Sequence, residues 1–366
     1  MLQTDDQRFS PFDEAFATLD GVETESEGST AENDIQPFDP AKINIETRPM
    51  TVGQLIARIR DNEASDGREG ILLRPDFQRM AGIWKDEAQS RLIESMMIRI
   101  PLPVFYLSED NDFSDLWIVI DGLQRLTTIK RFVVEKTLRL KNLEFWKEFE
   151  GKTYDELPRV LQRRIEETQV IVYLVKKGTP DQVKFNIFNR INTGGIPLTT
   201  QEIRHALNLG PATALLQELA ESEPFLQATD RGVGTLRMAD RECVLRFFAF
   251  QSKSAYLRET YGMRDYTDYS GRDDLDTFLN QHMKQLNILG KKEPAYLEKM
   301  QAQFTRTMQA AYALFGEETF RKPSGSGGRY RVSKALLEVW TVNLDQCTDE
   351  DLAQLKARKK TLRKNL

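Results

Sequence analysis

In the stretch "WIVIDGLQRLTTIKRF", residues 117–132, an apolar run leads directly into Asp121 and Gly122 and then into a segment with Gln124 and Arg125 in its first turn. A strand that ends in Asp-Gly and feeds a helix gathers free backbone N–H groups and the positive end of the helix dipole in one place, where anions bind. Gly122 allows the backbone to approach a phosphate closely, and Arg125, three positions on, can fold its guanidinium back as a bidentate donor. Asp121 can hold a metal ion or orient that arginine. Leu126, Ile129 and Val133 are spaced to pack inward, which leaves Gln124 and Arg125 for the ligand side. The chemistry is that of a phosphorylated ligand. Asp-Gly is also a common turn, so a plain turn is the competing reading.

Other residues could serve the same chemistry. "RPDFQRMAGIW" (74–84) reads as a loop in which Gln78 and Arg79 suit a phosphate or a base, while Trp84 reads as a core anchor. A surface loop is the alternative for Arg79. In "FNIFNRINTGGIPLTTQEIRHAL" (185–207), a helix, a glycine pair and a second helix starting at Thr199 place Arg190, Asn192, Thr193 and Gly194 where two helix ends could grip one triphosphate. The alternative is a structural connection in which Asn192 and the glycines cap the first helix. Glu202 fits a capping box with Thr199 better than a ligand contact.

His205 and His282 lie far apart, Cys243 and Cys347 have no cysteine nearby, and no metal-hydrolase constellation is visible. His205 reads as a surface or capping residue. The absence of G-x-x-x-x-G-K-[ST] excludes a Walker-type ATPase by motif. The tail "KARKKTLRKN" (356–365) carries Lys356, Arg358, Lys359, Lys360, Arg363 and Lys364 with no acid, a set able to neutralise DNA phosphates or simply to complement a helix C-terminus. Arg231, Arg237, Arg241 and Arg246 form a second basic cluster that could share the DNA contact.

The elements that must position these groups can be followed along the 366 residues. Residues 1–42 form an acidic arm expected to be disordered; its first 40 residues hold eleven acids against Arg8 alone, so a chain of net charge −5 keeps a mildly basic body. The arm competes for the anion-binding surface or only solvates the tail. Thr51 and Gln54 make a capping box before Val52, Leu55, Ile56 and Ile59, and Asp86 opens a helix whose stripe Leu92, Ile93, Met96, Met97 and Ile100 ends at Pro101. "LPVFYL" (102–107), "WIVI" (117–120) and "TQVIVYLV" (168–175) have strand composition, and a helix starts at Thr179 and Pro180. Beyond Thr199 the periodicity is helical. The fold class is therefore α+β: a small mixed sheet with helices over 43–210, then an all-helical domain over 211–366 with the basic tail. With 40% hydrophobic and 29% charged residues and no long apolar run, no membrane span is expected, and the two cysteines suit a reducing cytoplasm.

Four blocks, "RPDFQRMAGIW", "LIESMMIRIPLPVFYL", "VIDGLQRLTTI" and "FNIFNRINTGGIPLTTQEIRHAL", occur in the order and rough spacing of the GmrSD-type restriction N-terminal domain, which resembles a distant branch of the ParB and sulfiredoxin superfamily. The resemblance covers roughly residues 45–210. It implies a ParB-like sheet domain that binds and hydrolyses a nucleoside triphosphate, with Asp121, Gly122, Leu123, Gln124 and Arg125 standing where the family has Asp-Gly-Gln-Gln-Arg. Leu123 departs from that pattern, which bears on hydrolysis more than on binding. The expected reading is thus a bacterial restriction or anti-phage protein that uses Mg2+ and a nucleoside triphosphate. Asp121, Gln124 and Arg125 would be catalytic and Asp121 the metal ligand; DNA, a partner nuclease subunit and a homo-oligomer are the candidate partners. The alternative is a non-hydrolysing ParB-like DNA-binding or adaptor subunit.

Overall fold

The structure, a computed structural model, describes Val22, 43–73, 84–110, 113, 115–180, 183–184, 187, 199–235, 237–251, 258–260, 275–322 and 330–364. The chain forms two compact units, Asp34–Pro197 and Leu198–Leu366, the latter including Met1–Asn33. The dividing line precedes the helix with Gln201 and Glu202, rather than following residue 210 as the sequence pattern suggests.

The first unit is built on a mixed five-stranded sheet of β1 (Ile45–Thr51), β2 (Gly70–Leu72), β3 (Phe105–Glu109), β4 (Leu116–Asp121) and β5 (Gln169–Val175), in the order β1-β5-β3-β4-β2. β1 pairs antiparallel with β5, and β5 parallel with β3; β3 is antiparallel to β4, which is parallel to β2. β1 and β2 are strands that the sequence pattern does not announce. One sheet face buries Phe105, Leu107, Val172 and Leu174 in a core shared with α1 (Val52–Ala64), α2 (Asp86–Met97), α3 (Leu123–Ile129) and α4 (Arg159–Glu166).

Local chemistry sets the helix starts. At α1 the Thr51 hydroxyl accepts from the Gln54 N–H, and the Gln54 side chain accepts from the Thr51 N–H, the reciprocal box read from the sequence. α2 opens at Asp86, whose carboxylate also receives Arg131 at 2.6 Å and Lys141 at 2.6 Å. Its apolar stripe ends sooner than expected: Arg99 turns left-handed (φ 64°) just past Met97, which leaves Ile100 at 48% exposure. Trp84 corrects a second expectation, being half-buried outside the core cluster. Val183 and Ile187 are helical and Val183 is buried, while Phe188, Ile191 and "NTGG" lie outside the described residues, as does the acidic arm apart from Val22.

The second unit is helical, as the pattern indicates. α5 (Thr200–Leu207), α6 (Pro211–Ala220), α7 (Glu223–Ala228), α8 (Ala239–Gln251), α9 (Leu275–Lys292), α10 (Pro294–Phe315) and α11 (Lys334–Gln346) surround a separate core rich in Phe247, Phe248, Phe278 and Phe304. α12 (Asp349–Ala357) and α13 (Lys359–Lys364) close the chain. Among the described residues, no helix is long and apolar enough to cross a membrane.

Candidate functional site

The strand, the glycine and the helix of the opening motif are all present. β4 ends at Asp121, Gly122 is left-handed at φ 100°, and α3 starts at Leu123, so the first-turn amides of α3 have no acceptor within the helix. Leu126, Ile129 and Val133 are buried as their spacing indicates. The reason for glycine at 122 is different from the one the motif suggests. A Cβ there would lie 2.4 Å from Phe105 Cδ1 and 3.2 Å from Arg125 Nη2, so the close approach that Gly122 permits is to an aromatic ring of its own sheet.

Arg125 is the larger correction. It is 8% exposed and faces inward, not toward a ligand side. Its Nη2 donates to Asp121 Oδ2 at 2.8 Å and to the Val104 carbonyl at 3.1 Å, its Nη1 donates to the Pro103 carbonyl, and the guanidinium lies 4.4 Å over the Phe105 ring. Burial pulls the Arg125 pKa below the usual arginine value, and Asp121 opposes that shift. The guanidinium thereby ties the start of β3 to the end of β4 and fixes the direction of the Asp121 carboxylate. Asp121 itself is one third exposed, and among the described residues only its Oδ2 has a hydrogen-bond partner. Gln124 is half-buried and its backbone carbonyl accepts from Thr128 Oγ1 at 2.7 Å. Phe105 and the carbonyls of Pro103 and Val104, which complete this corner, carry no signal in the sequence because their role lies in strand pairing and backbone.

The other candidates divide between positions outside the described residues and positions in the helical interior. Gln78, Arg79, Arg190, Asn192, Thr193 and Gly194 lie outside the described residues. Glu202 is fully buried and completes the Thr199 cap, its Oε2 accepting from the Thr199 N–H at 2.6 Å with Arg237 Nε 3.4 Å away. Burial raises its pKa, and Arg237 opposes the shift. Arg204 is completely buried and bonds to Gln201, to Asn280 at 3.1 Å and to Asp276 at 2.6 Å. His205 is also fully buried, so the surface reading of that residue falls.

The second basic cluster does not form a DNA surface. Arg237, Arg241 and Arg246 are 7%, 5% and 3% exposed, and Arg246 pairs with Glu242 at 2.8 Å and Glu338 at 2.5 Å. Only Arg231 of the four is exposed, and it pairs with Glu223 at 3.0 Å. Arginines whose partners come from distant helices read as surface charge when only the sequence is counted. In the tail, Lys356, Arg358 and Lys360 are exposed, whereas half-buried Lys359 donates to the Ala313 carbonyl at 3.2 Å. The side chains of Arg363 and Lys364 lie outside the described residues. Among the described residues, no group of three or more His, Cys, Asp or Glu could hold a metal ion.

An α+β unit in which β4, the strand between β3 and edge strand β2, delivers a carboxylate and a glycine to a helix start is the class that fold and corner define. Residues 53–209 match the family described as "GmrSD restriction endonuclease, N-terminal domain", so this segment is a GmrSD-type restriction N-terminal domain. The family places the chain among restriction or defence-system components. The match runs past the structural dividing line and takes in all of α5. No curated protein and no solved structure matches the chain.

Proposed function

We propose that this chain is a component of a bacterial restriction or antiviral system whose sheet unit binds a nucleoside triphosphate with Mg2+, and whose helical unit engages DNA or a partner nuclease. The observation that carries this reading is the end of β4: the Asp121 carboxylate, one third exposed, stands where the strand passes through left-handed Gly122 into the start of α3. The amides and the helix dipole face the phosphates, and Gln124 contacts the nucleotide.

The single carboxylate suits Mg2+, which takes one or two carboxylates and draws its remaining oxygens from phosphate and water. Asp121 would hold the ion, and the ion would neutralise charge on the phosphates. Arg125 acts in this scheme by positioning Asp121 rather than by gripping phosphate, because its donors are engaged with Asp121, Pro103 and Val104. Hydrolysis of the phosphoanhydride belongs to the same proposal, as does the ParB-like character of the unit.

A second reading, an adaptor that binds nucleotide without turnover, is supported by the engaged Arg125 and by Leu123 at the first helical position. The deciding experiment is titration calorimetry of each triphosphate with Mg2+, followed by phosphate release with and without DNA, for wild type and Asp121→Asn. Binding with release that Asp121→Asn lowers is the expected result. Binding without release selects the adaptor, and absence of binding by every triphosphate overturns both.

A further inference from the structure

β1 is an edge strand, paired with β5 on one side and with no described strand on the other. Its ladder shows which backbone groups face outward. Lys176 N–H donates to the Asn44 carbonyl at 2.9 Å and Val52 N–H to the Thr168 carbonyl at 3.0 Å, so the hydrogen-bonded positions of the β1–β5 register are the even-numbered residues of β1. The N–H and C=O groups of Ile45 and Thr47 and the C=O of Pro49 therefore point away from β5, and among the described residues they have no hydrogen-bond partner. Pro49, with no N–H to give, occupies an outward position, where the ladder loses nothing.

The side chains follow the same alternation. Glu46 and Arg48 lie on the face of Leu174 and Val172, pair with each other at 2.7 Å and keep 43% and 35% of their side chains exposed. Thr47 and Pro49 are exposed on the opposite face, with Ile45 at 39% exposure and Ile171, the β5 partner of Pro49, at 36%.

Proline and charges on an edge ordinarily hinder a further strand. On β1 they single out one partner and one register. A second copy of β1 laid antiparallel about a two-fold axis at Thr47 sets Glu46 opposite Arg48 of the second copy, and Arg48 opposite its Glu46. An axis at Glu46 or at Arg48 would set like charges face to face, which is destabilising. About Thr47, the two Thr47 N–H groups reach each other's carbonyls and each Ile45 N–H reaches the Pro49 carbonyl of the other copy, so these bonds need no donor from proline. Ile171, Pro49 and Ile45 of the second copy then form one apolar row on the opposite face. Self-complementarity of this kind is what an isologous interface requires. We propose that the free edge of β1 is a homodimer seam that joins two copies of the five-stranded sheet edge to edge. The inference is independent of the nucleotide reading.

The test uses the full-length chain in sedimentation equilibrium across a concentration series, for wild type, Glu46→Arg, Arg48→Glu and the exchange Glu46→Arg with Arg48→Glu. Wild type is expected to dimerise. Each single variant should raise the dimer dissociation constant about 10-fold, because the two-fold axis turns two attractive cross-strand pairs into two repulsive ones, and the exchange should restore it. A second readout places the axis. In a Cys347→Ser background, Thr47→Cys should oxidise to a disulfide-linked dimer, since directly opposed hydrogen-bonded residues have Cα atoms about 5.5 Å apart, within disulfide reach. Ile45→Cys in the same background faces Pro49 of the second copy and should stay unlinked. A monomeric wild type, single charge variants that dimerise as wild type does, or linkage at position 45 equal to that at 47 overturns the seam. Should a charge variant fail to fold by circular dichroism, the two cysteine variants decide.

Discussion

Replacing Arg125 by alanine tests whether the motif arginine is a brace. The side chain makes three hydrogen bonds that join β3 to β4 and covers one face of Phe105. Hydrogen bonds to a charged group are each worth roughly 1.5–3 kcal/mol when removed from a buried site. The full sum overstates the cost, because Asp121 is one third exposed and Pro103 is exposed, so water can replace part of what is removed. A destabilisation of about 3 kcal/mol is a fair expectation, and for a unit of this size it lowers the melting temperature by roughly 6–12 °C. Thermal unfolding of the full chain, followed by circular dichroism, reads this directly. A surface arginine serving only a ligand would change stability by no more than about 0.5 kcal/mol when removed. A melting temperature for Arg125→Ala within about 2 °C of wild type would therefore refute the brace. The result also governs how turnover assays are read, since abolished phosphate release in Arg125→Ala would report unfolding as readily as chemistry. Asp121→Asn, which keeps an oxygen facing the guanidinium, is the cleaner probe.

Gly122→Ala should be worse than its size suggests. Left-handed backbone at φ 100° costs a residue with a Cβ about 1–2 kcal/mol, and the 2.4 Å approach to Phe105 adds overpacking strain of roughly 1–3 kcal/mol; urea unfolding with a midpoint equal to wild type would contradict this. In the helical unit, burial alone would raise the Glu242 carboxyl, but Lys334, Arg246 and Arg204 outweigh it and hold the pKa at about 2. The stability this supplies is fully present above the ordinary value of 4.5 and is lost as pH falls from 4.5 toward about 2, so Glu242→Gln should flatten urea midpoints across that window. Cys243 is fully buried with its thiol pushed up to about 12, whereas Cys347 is half-buried; a thiol-specific disulfide reagent at pH 8 should label Cys347 alone until the chain is unfolded. For the tail, Lys356→Glu with Lys360→Glu should weaken DNA binding and lower the slope of log affinity against log salt by roughly one for each phosphate no longer neutralised; a gel shift with an unchanged slope removes the tail from the interface.

What the sequence made legible follows from how local each signal is. The capping boxes at Thr51 and Thr199 form as read because both partners lie within four residues, and the apolar runs of β3, β4 and β5 form strands close to the expected bounds. β1 escapes because Glu46, Arg48 and Pro49 interrupt its pattern, although the two charges form their own pair at 2.7 Å and the strand is held by β5. β2, three residues long, is too short to carry a period. The arginines fail for a different reason. Arg125 meets carbonyls more than twenty positions away, and Arg246 meets Glu338 across 92 positions. A buried guanidinium is defined by such distant acceptors, so charge counting along the chain assigns it to the surface by default.

Leu123 and Arg125 bear jointly on how the corner works. Leu123 is the first residue of α3, and what that position offers a polyanion is its backbone N–H, which leucine keeps. The departure from glutamine removes only a side-chain amide. Arg125, in turn, keeps its charge within the corner but commits its donors to Asp121 and two carbonyls. On the proposed reading, the start of α3 and the Asp121 carboxylate that would hold a phosphate are thus intact, while the two side chains best suited to acting on a reacting phosphate are replaced or engaged. Binding at this corner, as proposed, would draw on backbone geometry that the fold enforces. Turnover in the proposed site would rest on Asp121 alone to direct the ion or water, so Asp121→Asn is the variant that separates release from binding.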